Sequence, residues 1–162
     1  MLLLCLLFAS CSKKADQPSI SYSKVGIYKL EVLNLPATDP DGYYWDNALN
    51  GTYPDVYFNI TVHSTNSSLY LLSVDNRIEN LQSSALPASW SGNNGSSFLT
   101  LNNVNQAIDV NFYDYDYLTT DQYMGGVSFN FADYTSGGNK YPTDVTVSLG
   151  NVSVKLYLTW SN

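Results

Sequence analysis

The sequence predicts an all-β domain, a sandwich of two antiparallel sheets built from eight strands. Three observations carry that expectation. Apolar and polar residues alternate with a period of two in segment after segment, as they do in half-buried strands. No window of helical period with end caps stands out. The composition is rich in Tyr (14 residues), Asn, Ser and Thr and poor in charge, with only 13% Asp, Glu, Lys and Arg, a mix suited to strands joined by polar loops. At 162 residues, 44% of them apolar, the chain has room for one domain with a sizeable core.

In chain order, Tyr28, Leu30 and Val32 oppose Lys29 and Glu31, and Val56, Phe58, Ile60 and Val62 oppose Tyr57, Asn59, Thr61 and His63. Weaker strand signals lie near 69–74, 77–78 and 98–101. Ile108, Val110 and Phe112 then oppose Asp109, Asn111 and Tyr113, and Val127, Phe129 and Phe131 oppose Ser128 and Asn130. Val145, Val147 and Leu149 lead through a Gly150-Asn151 turn into the cleanest segment, Val152, Val154, Leu156 and Leu158 against Ser153, Lys155, Tyr157 and Thr159. Glycine first in a two-residue connection is a hairpin signal. One apolar face per strand implies two sheets packed face to face.

The amino terminus reads as an address. Residues 2–9 form an apolar run, too short to span a bilayer, which needs about 20 residues, but suited to an export signal. The run ends at Phe8-Ala9-Ser10-Cys11, which resembles a bacterial lipobox, with Phe at the position usually held by Leu and no basic residue before the apolar run. The expected organisation is a signal peptide over 1–10, a lipid-anchored tether over 11–22 that starts at Cys11, and a domain over 23–162. Cys5 and Cys11 are the two cysteines, so the domain carries neither a disulfide nor a thiol nucleophile.

Charge narrows the function. Seven Lys and Arg stand against 14 Asp and Glu, for a formal charge of -7, the reverse of what phosphate contacts need; no nucleic-acid partner is expected. A single His, His63, on a polar strand face, excludes multi-His metal centres, and no nucleophile motif such as Gly-x-Ser-x-Gly appears. The acids cluster. Asp39, Asp41, Asp46 and Asp55 precede the second clear strand; Asp114, Asp116 and Asp121 follow Phe112; no Lys or Arg falls between 39 and 55 or between 114 and 121. At opposite ends of a sandwich these are two polar loops. At the same end, the carboxylates crowd one another and raise each other's pKa or require a cation, Ca²⁺ before Mg²⁺.

The segment Asn34-Leu35-Pro36-Ala37-Thr38-Asp39-Pro40-Asp41-Gly42, leading to Pro54-Asp55-Val56, resembles the first Ca²⁺ loop of a C2 domain. Phe112-Tyr113-Asp114-Tyr115-Asp116, with Gly125 eleven residues after Asp114, resembles the third, and Leu86-Pro87-Ala88-Ser89-Trp90 looks like the Asn-Pro-x-Trp element of that fold. The resemblance covers residues 23–161. It implies a C2-like sandwich with Ca²⁺ ligands at Asp39, Asp55, Asp114 and Asp116. One strand before the first loop and three after the third also imply the permuted, phospholipase-type strand order. Gln122 stands where the family has its last acid, with Asp121 one residue earlier; Asp41, Asp46 and Thr119 are secondary ligand candidates. Fifteen residues, 40–54, separate Asp39 from Asp55, an insertion relative to familiar members, and it contains Trp45.

The expected protein is therefore a calcium-binding adaptor and not an enzyme. It is held by its lipid at the bacterial outer membrane, on the periplasmic side, with an envelope protein or glycan as partner. The alternative is a carbohydrate-binding β-sandwich lipoprotein with a structural calcium, in which aromatic residues, Trp45 foremost, stack on sugar.

Overall fold

The computed structural model describes residues 21–46 and 53–162. The expected signal peptide, Cys11 and most of the tether lie outside the described residues, as does most of the single turn expected around 46–49.

Nine strands are present among the described residues: β1 (Lys24–Asn34), β2 (Val56–Val62), β3 (Ser68–Leu71), β4 (Ala88–Ser91), β5 (Leu99–Leu101), β6 (Ile108–Asp114), β7 (Gln122–Phe129), β8 (Asp144–Leu149) and β9 (Val152–Ser161). Among the described residues there is no α-helix. One sheet has the order β4-β1-β9-β8, with β5 also pairing to β1; the other has the order β3-β2-β6-β7. Every recorded strand pair is antiparallel. The two-sheet antiparallel sandwich is as expected, with nine strands in place of eight. The additional one is β4, four residues directly after Pro87, too short to show alternation. Residues 77–78 form no strand; Ile78 makes one isolated bridge to Val56.

The core lies between the sheets. Leu30, Val32, Val154 and Leu156 from one face Phe58, Ile60, Val110 and Phe112 from the other, all essentially inaccessible to solvent. Phe58 sits at its centre, edge-on to Trp90 at 5.1 Å and tilted against Phe112 at 6.2 Å. Such geometry adds to simple area burial. In β1 the alternation breaks at a bulge between Ile27 and Lys29, because an extra residue reverses the side-chain phase. Val25 and Ile27 therefore fill the core, and Tyr28, expected inside, lies half-buried near Tyr157 at 6.0 Å. The edge strand β8 buries Val145 but leaves Leu149 exposed. Gly150 takes φ +57° at the first turn position between β8 and β9, the conformation expected of glycine there.

The pairing also fixes the poles. β1 runs from Lys24, opposite Ser161, to Asn34, opposite Ser153. β2 starts at Val56 opposite Asp114 and ends at Val62 opposite Ile108. The end of β1, the start of β2 and the β6–β7 loop, 115–121, thus lie at the same end of the sandwich. Residue 24 and residue 161 lie at the other.

Candidate functional site

The two acidic segments meet through backbone as well as side chains. Alternation along β6 points Ile108, Val110, Phe112 and Asp114 inward, so Asp114 ends its strand as a carboxylate in the core row, with 0% exposure. Its Oδ1 accepts the backbone N–H of Asp55 at 2.7 Å, and the Tyr115 N–H donates to the Asp55 carbonyl at 2.9 Å. These bonds lock the start of one loop to the end of the other. The Oδ2 of Asp114 is buried and has no hydrogen-bond partner.

A buried, half-satisfied carboxylate resists ionisation. Burial pushes Asp114 up to about 7; the Asp55 N–H works against the shift, while the charges of Asp46, Asp116 and Asp55 add to it. Asp46 is raised too, by burial first and then by Asp55 and Asp116. The charges of Asp55 and Asp116 therefore bear on both Asp46 and Asp114 at this rim.

The remaining candidates have other duties. Asp39 Oδ1 accepts the N–H groups of Asp41 and Tyr43 at 3.0 and 2.8 Å; it closes its own turn and is not among the charges that act on Asp114. Asp41 is exposed on that turn, and Thr119 is exposed in the β6–β7 loop. Asp121 accepts the Tyr57 hydroxyl at 2.7 Å and the Asp116 N–H at 3.2 Å, which fixes the β6–β7 loop. The Gln122 amide donates to Asp116 Oδ2 at 3.4 Å.

Two side chains depart from the sequence reading. Arg77 supplies the counter-charge that neither loop carries: its Nε lies 3.1 Å from Asp55 Oδ2 and its other arm reaches Glu79, with the guanidinium over the Tyr115 ring. Its only signal in sequence is its position next to Ile78, the residue that bridges to Val56. Asp55 also accepts the Asn80 N–H through Oδ1, so both its oxygens are engaged. Trp45, the ring expected to stack on sugar in the carbohydrate-binding alternative, is buried with 6% exposure; its indole N–H donates to the Pro36 carbonyl at 2.8 Å. It packs the long insertion onto the sandwich and offers no free ring. The exposed rings and side chains near the rim are Tyr43, Tyr44, Tyr117 and Leu118, the last two at 85% and 89% exposure.

The donor set suits a hard cation that prefers oxygen. Asp114 offers a dry, unpartnered oxygen, and Asp116 and Asp46 offer carboxylates whose charges already burden it. Among the described residues no three acidic, His or Cys side chains stand close enough to form a ready-made metal cage. Ligation here would involve side-chain turns, and Asp55 would exchange Arg77 for the ion.

No family model matches the chain, and no curated protein matches it. Among solved structures it is similar to a C2 domain of plant extended synaptotagmin 1, with 11% identity over 88% of this chain and 97% of that one and a TM-score of 0.45. It is also similar to human GIVD cytosolic phospholipase A2 in complex with methyl gamma-linolenyl fluorophosphonate, with 12% identity over 85% of this chain and a TM-score of 0.41. The chain spans only 17% of that phospholipase's length. The two antiparallel sheets, with the two acidic loop segments joined at one end, form a β-sandwich.

Proposed function

We propose that the protein is a binding module that takes Ca²⁺ at the acidic rim and serves as an adaptor in the bacterial envelope, with no catalytic activity. The observation that supports this reading is the buried, unpartnered Oδ2 of Asp114 amid three further carboxylates, a charge problem that a divalent cation relieves. Asp114, Asp116 and Asp46 are the carboxylates that would hold it. Asp55 joins them in competition with Arg77, Gln122 is a neutral oxygen donor beside Asp116, and Asp39 shapes the adjoining turn. A bound ion would cross-link the two loops and turn the rim potential from negative towards positive. Tyr43, Tyr44, Tyr117 and Leu118 would then border a docking surface whose charge depends on the ion.

The poles bear on what docks there. With β1 about 36 Å long at ~3.3 Å per residue, the rim lies a full strand length from Lys24. A lipid on Cys11 would hold the Lys24 end towards its membrane, and residues 12–23 reach about 40 Å only when fully stretched. The rim is therefore presented away from that membrane, which favours an envelope protein or glycan over the anchoring bilayer as the partner.

Thermal melting with Ca²⁺, Mg²⁺ or chelator tests the site. Free Ca²⁺ at 100 times its Kd should stabilise the fold by about 2.7 kcal/mol, with a smaller effect of Mg²⁺ at equal concentration. The double change Asp114→Asn and Asp116→Asn should erase the Ca²⁺ response. An unchanged midpoint at millimolar Ca²⁺ would refute the metal reading.

A further inference from the structure

A second candidate site lies away from the acidic rim. At the edge where β3 of one sheet meets β4 of the other, a cleft of 520 Å³ opens, within the size range of small-molecule sites, roughly 300–1,000 Å³. Its floor and one wall are aromatic: Tyr70, Phe98 and Trp90 line it, with the Tyr70 and Phe98 ring centres 4.9 Å apart. Trp90 is already satisfied, its indole N–H bound to the Asn76 carbonyl at 3.0 Å. Buried Leu72 adds to the apolar part, and the rest of the lining is hydroxyl, amide and backbone. No Asp, Glu, Lys, Arg or His lines the cleft.

That neutrality is informative in a chain with a formal charge of -7. A cleft without charged side chains offers no counter-charge to a metal ion, a phosphate or a charged peptide, which disfavours such ligands. It does offer unused polar groups. Among the described residues, the side-chain amides of Asn76 and Asn93 and the hydroxyls of Tyr70, Ser89 and Ser91 make no hydrogen bond, whereas Ser96 and Ser97 are engaged with Asn93 and Thr159. Flat rings beside free amide and hydroxyl groups match a pyranose, which has an apolar C–H face and a rim of hydroxyl groups.

The far wall is built to a fixed shape. Residues 92–97 turn back on themselves, with Asn94 at φ +54° and Gly95 at φ +75°. A Cβ on Gly92 would lie 1.8 Å from the Ser96 carbonyl oxygen, so only glycine fits there. Both ends of the turn are tied to β1, Gly92 N–H to the Tyr28 carbonyl and Phe98 N–H to the Ile27 carbonyl. The loop thus holds Asn93 and Phe98 in place before any ligand arrives, which lowers the ordering cost of binding.

We infer that this cleft binds a neutral saccharide, with Tyr70 and Phe98 stacking on a sugar ring and Asn76 and Asn93 taking its hydroxyls. The inference stands independently of the calcium reading, because no rim carboxylate contributes to the cleft.

The test is an array of neutral and anionic glycans probed with the purified protein in chelator, followed by calorimetric titration of the best oligosaccharide. Chelator keeps the outcome separate from that of the rim. Binding to at least one neutral glycan is expected. The double change Asn76→Ala and Asn93→Ala, at exposed side chains, should weaken it tenfold or more with an unchanged melting midpoint, and Tyr70→Leu should weaken it further. The inference is overturned if no neutral glycan binds, if only anionic glycans bind, if an extended peptide pool binds in their place, or if the Asn76/Asn93 double variant binds as the wild type does.

Discussion

Asp109 and Asp114 lie on the same strand, five residues apart, and have opposite fates. Asp109 points outward. Its Oδ1 accepts the Ser128 hydroxyl at 2.6 Å and faces His63 Nδ1 at 2.8 Å, and solvent reaches it. Asp114 points inward, holds one backbone N–H and leaves its other oxygen dry and unpartnered. An odd offset along a strand changes faces, so parity alone decides which carboxylate is settled and which is poised. Richness in acid alone therefore does not single out a carboxylate; being in phase with the core row does.

The largest effect should appear at Asp114 itself. Its carboxyl titrates at about 7 in the folded chain against an ordinary 3.8, so the folded state holds a proton that the unfolded state releases across that window. Without Ca²⁺, the contribution of this group to stability is fully present below pH ~4 and is lost as pH rises through ~7. At about 1.36 kcal/mol per pH unit, the loss is on the order of 4 kcal/mol at most. Asp114→Asn should stabilise the calcium-free protein at pH 8 by roughly 3 kcal/mol and gain little at pH 4, as urea melts at the two pH values would show. Equal effects at both would mean the carboxyl is not buried in solution.

Arg77 sharpens the contrast from the other side. It neutralises Asp55, and a cation would compete with it. Arg77→Gln should lower the calcium-free denaturation midpoint and should tighten Ca²⁺ binding in calorimetry. Weaker Ca²⁺ binding in that variant would place Asp55 outside the ion's reach. Asp109→Asn is the smallest change, about 0.5–1 kcal/mol for a partly exposed pair, with the Ca²⁺ melting shift unaltered. If it abolished that shift, the two ends of β6 would be coupled and the parity argument would fail.

Much of this is legible in sequence wherever periodicity is unbroken. β6 and β9 follow the alternation residue by residue, and carrying β6 one step past Phe112 places Asp114 inside; in β2, Tyr57 and Thr61 are buried as well and Val62 is only half-buried. Tyr28 departs from its expected face because the β1 bulge has no marker beyond the half-polar run around it. β4 escapes notice because four residues after a proline carry too little pattern. Trp45 sits in an insertion, where composition suggests exposure; its burial depends on Pro36, nine residues upstream, which no local rule connects. Arg77 becomes part of the rim only through the Val56–Ile78 bridge, a tertiary contact. The neutral cleft draws on β3, β4 and the 92–98 turn, segments whose weak strand signals give no reason to bring them together.

The pairing of β1 with β9 along nearly their whole length has a mechanical consequence. Tension applied between residue 24 and anything gripping the loop at 115–121 would run parallel to the strands. It would load the central hydrogen-bond ladder in shear, where many bonds must yield together, and not one at a time as in unzipping. Such a domain is suited to carry a pulling load between two attachments.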